Sequence, residues 1–275
     1  MRPSLFRRGF ATSIAWLFFL LLWASGGRAL AEPRTVRIAT DDAAPPFSHV
    51  QDGKAEGLYL KLVRRAAEAL PGWRLEFKPM PWARALREAE LAEADALLPP
   101  YHGMGRDWIA HYVSLPYREQ VVLSCSTTSG LGAGNHWPQD FGGRRIGVNR
   151  GYLIGPTVVE AVQRGWIHKV EFRNGRDALA ALASGQIDCY ANERISIEVT
   201  HKQALADKLW GPRMPAQLRP ALALSEQQAY LVLSRQALAK RPELAQFARE
   251  LESQLSLLHD SGELQRLLAE MGEKH

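Results

Sequence analysis

Apolar and polar positions along this chain follow two rhythms in turn. Strand-length stretches at 35–40, 74–78 and 95–98 are separated by stretches at 60–70 and 82–92 with helical spacing. In the first of these, Leu60, Val63, Ala67 and Leu70 share one face. A longer strand at 120–125 and a Ser-, Thr- and Gly-rich loop at 126–135 follow, and then the alternation restarts. It predicts strands at 145–148, 169–172 and 187–191, with helices at 157–164, 178–184 and 195–207. Two further strands at 218–224 and 230–234 precede terminal helices at 242–258 and 262–271. Strands that alternate with helices imply mostly parallel sheets covered on both faces. Because the alternation occurs twice, the predicted fold is α/β with two lobes and a cleft between them, a common place for a ligand. No internal sequence repeat accompanies the doubling.

Residues 1–31 depart from this pattern. Arg2, Arg7 and Arg8 precede an apolar core at 10–23, and Ala29, Leu30 and Ala31 form an A-x-A site. These are the parts of a cleavable export signal cut after Ala31, and the apolar core is too short for a membrane span. The signal route predicts a periplasmic protein. Arg7-Arg8-Gly9-Phe10 faintly resembles a twin-arginine signal, although no cofactor motif calls for folded export. Removing the segment changes the charge picture. Its four arginines and no acid reduce the formal charge from +5 to +1 over the remaining 244 residues. No block of like charge is left, so neither nucleic acid nor an anionic membrane surface is indicated.

Cys125 and Cys189 both lie in strand-like apolar runs, VVLSC and IDCYA. In an oxidising compartment they either form one disulfide within the second lobe or sit as buried free thiols. The eight histidines show no i, i+4 pair, and two cysteines make no zinc set, so no metal is expected. No cofactor motif is present either.

The stretch 94–117 carries the most chemistry. Pro99 and Pro100 end a buried strand, and glycines 103 and 105 deliver Arg106 just beyond its carboxyl end. Ligands of open α/β sheets sit outside strand carboxyl ends, and a guanidinium there meets a carboxylate with two parallel hydrogen bonds. The competing reading is a surface arginine paired with Glu93 or Asp107.

An ordered series of motifs then resembles one family. RIATDDAAPPF, EGLYLKLVRRAAEAL, PWARALREAELAEADALL, GRDWIAHYVSLPY, GRRIGVNRGY, DALAALASGQIDCYANE, AYLVLS and LHDSGELQRLLAEM occur in this order across most of the chain. Together they are similar to the periplasmic solute-binding proteins of family 3, the type II bilobed receptors of polar amino-acid ABC transporters. The resemblance implies lobe 1 at 32–118 plus 233–275, lobe 2 at 119–232, and hinge strands near 118–122 and 230–233. It implies an occupant too: a small polar solute with a carboxylate, captured by a monomer that docks on the membrane permease subunits of an ABC transporter.

The resemblance also implies a ligand set. Asp41 and the segment Ala44 to Phe47 would line the first lobe, and Arg106 would take a carboxylate. Arg150, Gly151 and Tyr152 would feed an anion site at the start of the following helix, and Glu193 would hold an ammonium group. Trp82 and Tyr101 are added as cleft walls. Three have plainer alternatives: a turn cap for Asp41, core packing for Trp82, and a pair with Arg194 or a lobe–lobe partner for Glu193. The family's usual aromatic is Ala44 here, a Thr-x-x-Arg pattern is replaced by Gly103-Met104-Gly105-Arg106, and Tyr152 stands where Ser or Thr is usual. Alternatives on the same scaffold are a secreted enzyme resembling cyclohexadienyl dehydratase, with Glu193 as acid or base, and a receptor for a membrane signalling protein. No nucleophile–base motif supports the enzyme.

Overall fold

A computed structural model describes residues 32–103, 105–208, 218 and 220–274, the side chains of 271–274 excepted. The expected export signal and its cleavage site lie outside the described residues. Strand β1 (Arg34–Asp41) is followed by a three-stranded meander, β2 (Ala43–Ala44), β3 (Ser48–Gln51) and β4 (Lys54–Glu56). Then come α1 (Leu58–Ala67), β5 (Trp73–Met80), α2 (Trp82–Glu90) and β6 (Ala96–Leu98). The long strand β7 (Ile109–Cys125) leads into β8 (Arg145–Asn149), α3 (Pro156–Gln163), β9 (His168–Phe172), α4 (Gly175–Ala183), β10 (Cys189–Glu193) and α5 (Arg194–Ala206). A second long strand, β11 (Pro220–Ser234), returns to α6 (Arg235–Lys240), α7 (Leu244–Asp260) and α8 (Glu263–Lys274).

The main sheet has the order β5-β1-β6-β11-β7-β10-β8-β9. Its outer pairs are parallel: β1 with β5 and β6, and β8 with β9 and β10. The two long strands run antiparallel to each other through the middle and join two parallel halves into one ladder. This is the two-lobed α/β architecture that the alternation predicts, with the type II bilobed fold that the resemblance implies.

Period-2 alternation places helices on both faces. In the first lobe Val36, Ile38, Ala96, Leu98, Leu231 and Leu233 face one core, beside α1 and α7. Ala39, Leu97 and Val232 face the other, beside α2. The second lobe repeats the scheme, with Val121, Leu123, Cys189 and Ala191 against one core and Val122 and Tyr190 against the other. Gly57 shows how tightly α1 is seated. Its φ is +126°, and a Cβ there would come within 2.3 Å of the Phe47 carbonyl oxygen. Only glycine lets the meander and the helix start pass that closely.

Several expected boundaries move. The strands expected at 218–224 and 230–234 are one strand, β11, because its polar middle still pairs with β7, Gln228 opposite Arg118 and Gln227 opposite Glu119. Likewise β7 begins eleven residues before 120, at Ile109, its alternating half-buried pattern being weaker than the apolar run that ends it. The helix expected at 242–258 is preceded by the separate α6, whose N-cap Ser234 accepts from the Ala237 N–H. Ala229, Leu231 and Leu233 of β11 pack in the same core as β1 and β6, and Gln227 and Gln228 lie opposite Glu119 and Arg118 of β7. Cys125 and Cys189 are directly opposed on β7 and β10, and their sulfurs are bonded.

Candidate functional site

The carboxyl ends of four parallel strands converge between the lobes. From the first lobe come Asp41 at the end of β1 and the segment from Pro99 to Arg106 after β6. From the second come the turn after β8, carrying Gly151 to Leu153, and the end of β10 with Asn192 and Glu193. They enclose a cavity of ≈ 440 Å³ including its mouth, which is further lined by Ala44, Phe47, Tyr59, Trp82, Glu119 and Ser196.

Arg106 is 6% exposed and meets neither Glu93 nor Asp107. Its guanidinium donates to the Tyr101 carbonyl at 2.6 Å and, across the cleft, to the Gly151 carbonyl at 3.2 Å. It also lies 5.9 Å from the Trp82 ring centre. Two neutral acceptors do not use the five N–H groups of a guanidinium, and burial, against the opposing influence of Tyr112 and Tyr101, lowers its pKa to about 10.

The second-lobe turn reaches deep into the first lobe. Tyr152 donates its hydroxyl to Asp41 at 2.5 Å and packs edge-on against Trp82. The Trp82 indole N–H joins Arg106 on the Gly151 carbonyl, at 3.2 Å. Gly151 has φ +80°, and a Cβ on it would press Leu86 and Trp82 at 2.9 and 3.3 Å. The close approach of the two lobes therefore needs glycine at this position.

Glu119 sits on β7 between Leu115, which packs in the first-lobe core, and Val121, which packs in the second. Tyr59, from α1, donates to one of its oxygens, and Tyr101 donates to the other at 2.5 Å. Glu193 caps α5 by accepting from the Ser196 N–H at 2.6 Å. Burial raises Asp41 to about 7 against hydrogen bonds from Tyr152 and the Ala43 N–H. It raises Glu119 to about 7 against the two tyrosine bonds. Glu193 rises to about 8, through burial first and the neighbouring charge of Glu119 second. Among the described residues, none of these three carboxylates and the Arg106 guanidinium stands in an ion pair.

Eight of the residues singled out from sequence line this cavity: Asp41, Ala44, Phe47, Trp82, Tyr101, Arg106, Tyr152 and Glu193. Gly151 is not a lining residue, but its carbonyl accepts from Arg106 and Trp82, which are. The plainer readings of Asp41 and Trp82 hold at the same time, since Asp41 accepts from the Ala43 N–H and Trp82 is a core residue of its lobe. Glu193 is not paired with Arg194, whose partner is Glu198. Arg150 is the exception. Asn149 before it points inward to Tyr190, so the alternation turns Arg150 outward, where it is 64% exposed and pairs with Glu171. The helix start expected as an anion site is also altered, because Pro156 opens α3 and brings no N–H.

Tyr59, Glu119, Asn192 and Ser196 were not singled out from sequence. Asn192 and Ser196 flank Glu193 and were within reach of that motif. Tyr59 reads as one more apolar helix position, and Glu119 as part of the polar break Arg118-Glu119-Gln120.

Residues 36–102 match the model of the bacterial extracellular solute-binding proteins, family 3. None of the curated proteins matches the chain in sequence. Similar solved structures include a histidine kinase sensor domain with similarity to periplasmic binding proteins, at TM-score 0.71 and 18% identity over 87% of this chain and 96% of that one. An amino-acid ABC transporter substrate-binding protein from Streptococcus pneumoniae, bound to L-arginine, gives TM-score 0.66 and 19% identity over 86% and 94%. An ancestral amino-acid-binding protein, a precursor of cyclohexadienyl dehydratase, gives 0.64 and 16% over 86% and 94%. The chain thus resembles the family 3 binding proteins as a divergent relative with the type II bilobed fold.

Proposed function

From a type II bilobed fold that closes over a buried, unpaired arginine, we propose that this protein captures a small polar solute between its lobes. The solute is an amino acid or a related carboxylate, exported protein collects it in the periplasm, and a membrane permease of the ABC type receives it. The observation that supports this most is Arg106. A guanidinium buried against two carbonyls has donors to spare and no anion, and a solute carboxylate supplies both the charge and the second pair of acceptors. Tyr152, Asp41, Arg106 and Gly151 bridge the lobes directly, so a solute entering here replaces cross-cleft contacts and is gripped from both sides as the hinge at 118–119 and 227–228 closes.

Thermal-shift screening over amino acids, short peptides, polyamines and organic acids tests the reading. A true solute at about 100 times its Kd adds roughly 2.7 kcal/mol. At about 2–4 °C per kcal/mol for a chain of this size, that is a shift of roughly 5–10 °C. If no class of small polar solute shifts the transition, the capture reading falls.

A further inference from the structure

The four charged side chains of the cavity are not mixed together. Tyr101 separates them, since its backbone carbonyl accepts from Arg106 while its hydroxyl donates to Glu119. The guanidinium and the hinge carboxylate therefore stand about one tyrosine side chain apart. Glu193 belongs to the Glu119 end, where burial first and the charge of Glu119 second oppose its ionisation. Phe47 stacks on Tyr59 at the same end, with ring centres 5.3 Å apart.

Resting on the capture reading above, we infer that Glu119 is a specificity-determining residue which, with Glu193, receives a cationic group at the end of the solute remote from Arg106. The favoured solute then carries a carboxylate at one end and an ammonium, amidinium or guanidinium group at the other. Glu119 interrupts a strand that is otherwise built for burial, with Val113 and Leu115 before it and Val121 and Leu123 after it. Two tyrosine hydroxyls occupy one acceptor position on each of its oxygens, which leaves further lone pairs and, among the described residues, no ion-pair partner to meet them. Buried carboxylates without a cation are costly unless protonated, and a ligand cation relieves that cost. The faces of Phe47 and Tyr59 add the attraction of aromatic rings for a desolvated cation.

The inference also fixes the proton balance. The groups that face Glu119 are Tyr59 from α1, Tyr101 from the segment after β6, Glu193 from β10, and Tyr117 on its own strand. None of them is a cation; Arg194, at the start of α5, favours the charged form of Glu193 but acts on it less than burial and Glu119 do, and its guanidinium is paired with Glu198. A proton held at the Glu119–Glu193 pair in the solute-free protein leaves to solvent when the solute's cation takes its place.

Calorimetry of the exported protein with two pairs of near-isosteric probes reads this directly. The pairs are L-arginine with L-citrulline and L-lysine with L-norleucine. The charged member of at least one pair should bind about thirtyfold tighter or more than its neutral partner. Its binding heat should vary with the ionisation heat of the buffer, as proton release requires. Glu119→Gln should reduce that ratio to within about threefold by weakening the charged member alone, and Glu119→Asp should restore part of it. A Glu119→Gln variant that weakens both members equally makes Glu119 a structural anchor for Tyr59 and Tyr101 and overturns the inference. Neutral members that bind as tightly as charged ones in the unaltered protein overturn it without any variant. Capture of only neutral or dianionic solutes in the wider screen overturns it too, while leaving interlobe capture intact. Failure of every solute to bind removes both readings.

Discussion

Arg106 puts the residue-scale argument in its sharpest form. A surface arginine near an acid is worth little, and removing one changes stability by a few tenths of a kcal/mol. This one is buried, bonded only to carbonyls, and placed at the cavity wall. If its occupant is a carboxylate, Arg106→Ala leaves a desolvated anion without its partner, at a cost of about 3–5 kcal/mol. Affinity should then fall by roughly a hundredfold or more. Arg106→Lys should lose much of the affinity as well, because a point charge cannot reproduce the guanidinium fork. Calorimetry with the solute found by screening checks both, and near-normal affinity in Arg106→Ala with unchanged circular dichroism would dismiss the role.

At the scale of elements, the disulfide ties β7 to β10 at the far end of the second lobe from the cavity. The two cysteines are 64 residues apart in sequence and directly opposed in register. Closing a loop of that length restricts the unfolded chain and contributes about 4 kcal/mol in the chain-entropy account. Cys125→Ser with Cys189→Ser should therefore lower the melting temperature by roughly 10 °C. Solute affinity should stay within about threefold, since neither cysteine lines the cavity. Mass spectrometry of folded, exported protein should show no alkylatable thiol, and two would reject the bridge.

At the scale of the whole molecule, closing the lobes buries three carboxylates, and the consequence is a dependence of stability on pH. Asp41 and Glu119 titrate near 7 and Glu193 near 8 in the folded chain, mainly because burial disfavours their charge. In the unfolded chain they return to ordinary values near 4. Between those limits the folded state binds more protons than the unfolded state, so stability falls as pH rises. The contribution is full below about pH 4 and lost as pH passes through about 7 to 8. Asp95 and Asp188 have the opposite sign. Burial raises them, but hydrogen bonds from Arg37 and Arg145 prevail and hold them below the ordinary value, so they act at more acid pH. The solute-free protein should thus melt at progressively lower temperature from about pH 5 to about pH 8.5, and Asp41→Asn should flatten the slope. A melting temperature that is level or rising over this range would contradict the closed, charge-burying form.

The sequence by itself determined the alternation of strands and helices, because periods of 2 and 3.6 are local properties of each segment. It also determined the position of Arg106, since prolines and glycines mark the end of a strand wherever they occur. What it did not determine is everything that depends on two distant segments facing each other. Gln227 and Gln228 read as a break between two strands until Arg118 and Glu119 pair with them. Arg150 reads as a site residue until the inward turn of Asn149 sends it to solvent. Tyr59 and Glu119 are 60 residues apart and unremarkable where they stand in the chain. Tertiary structure alone brings them together, because only folding decides which buried polar groups satisfy one another and which are left facing a cavity. The charge of that cavity is a sum over both lobes, and no single segment of the chain carries it.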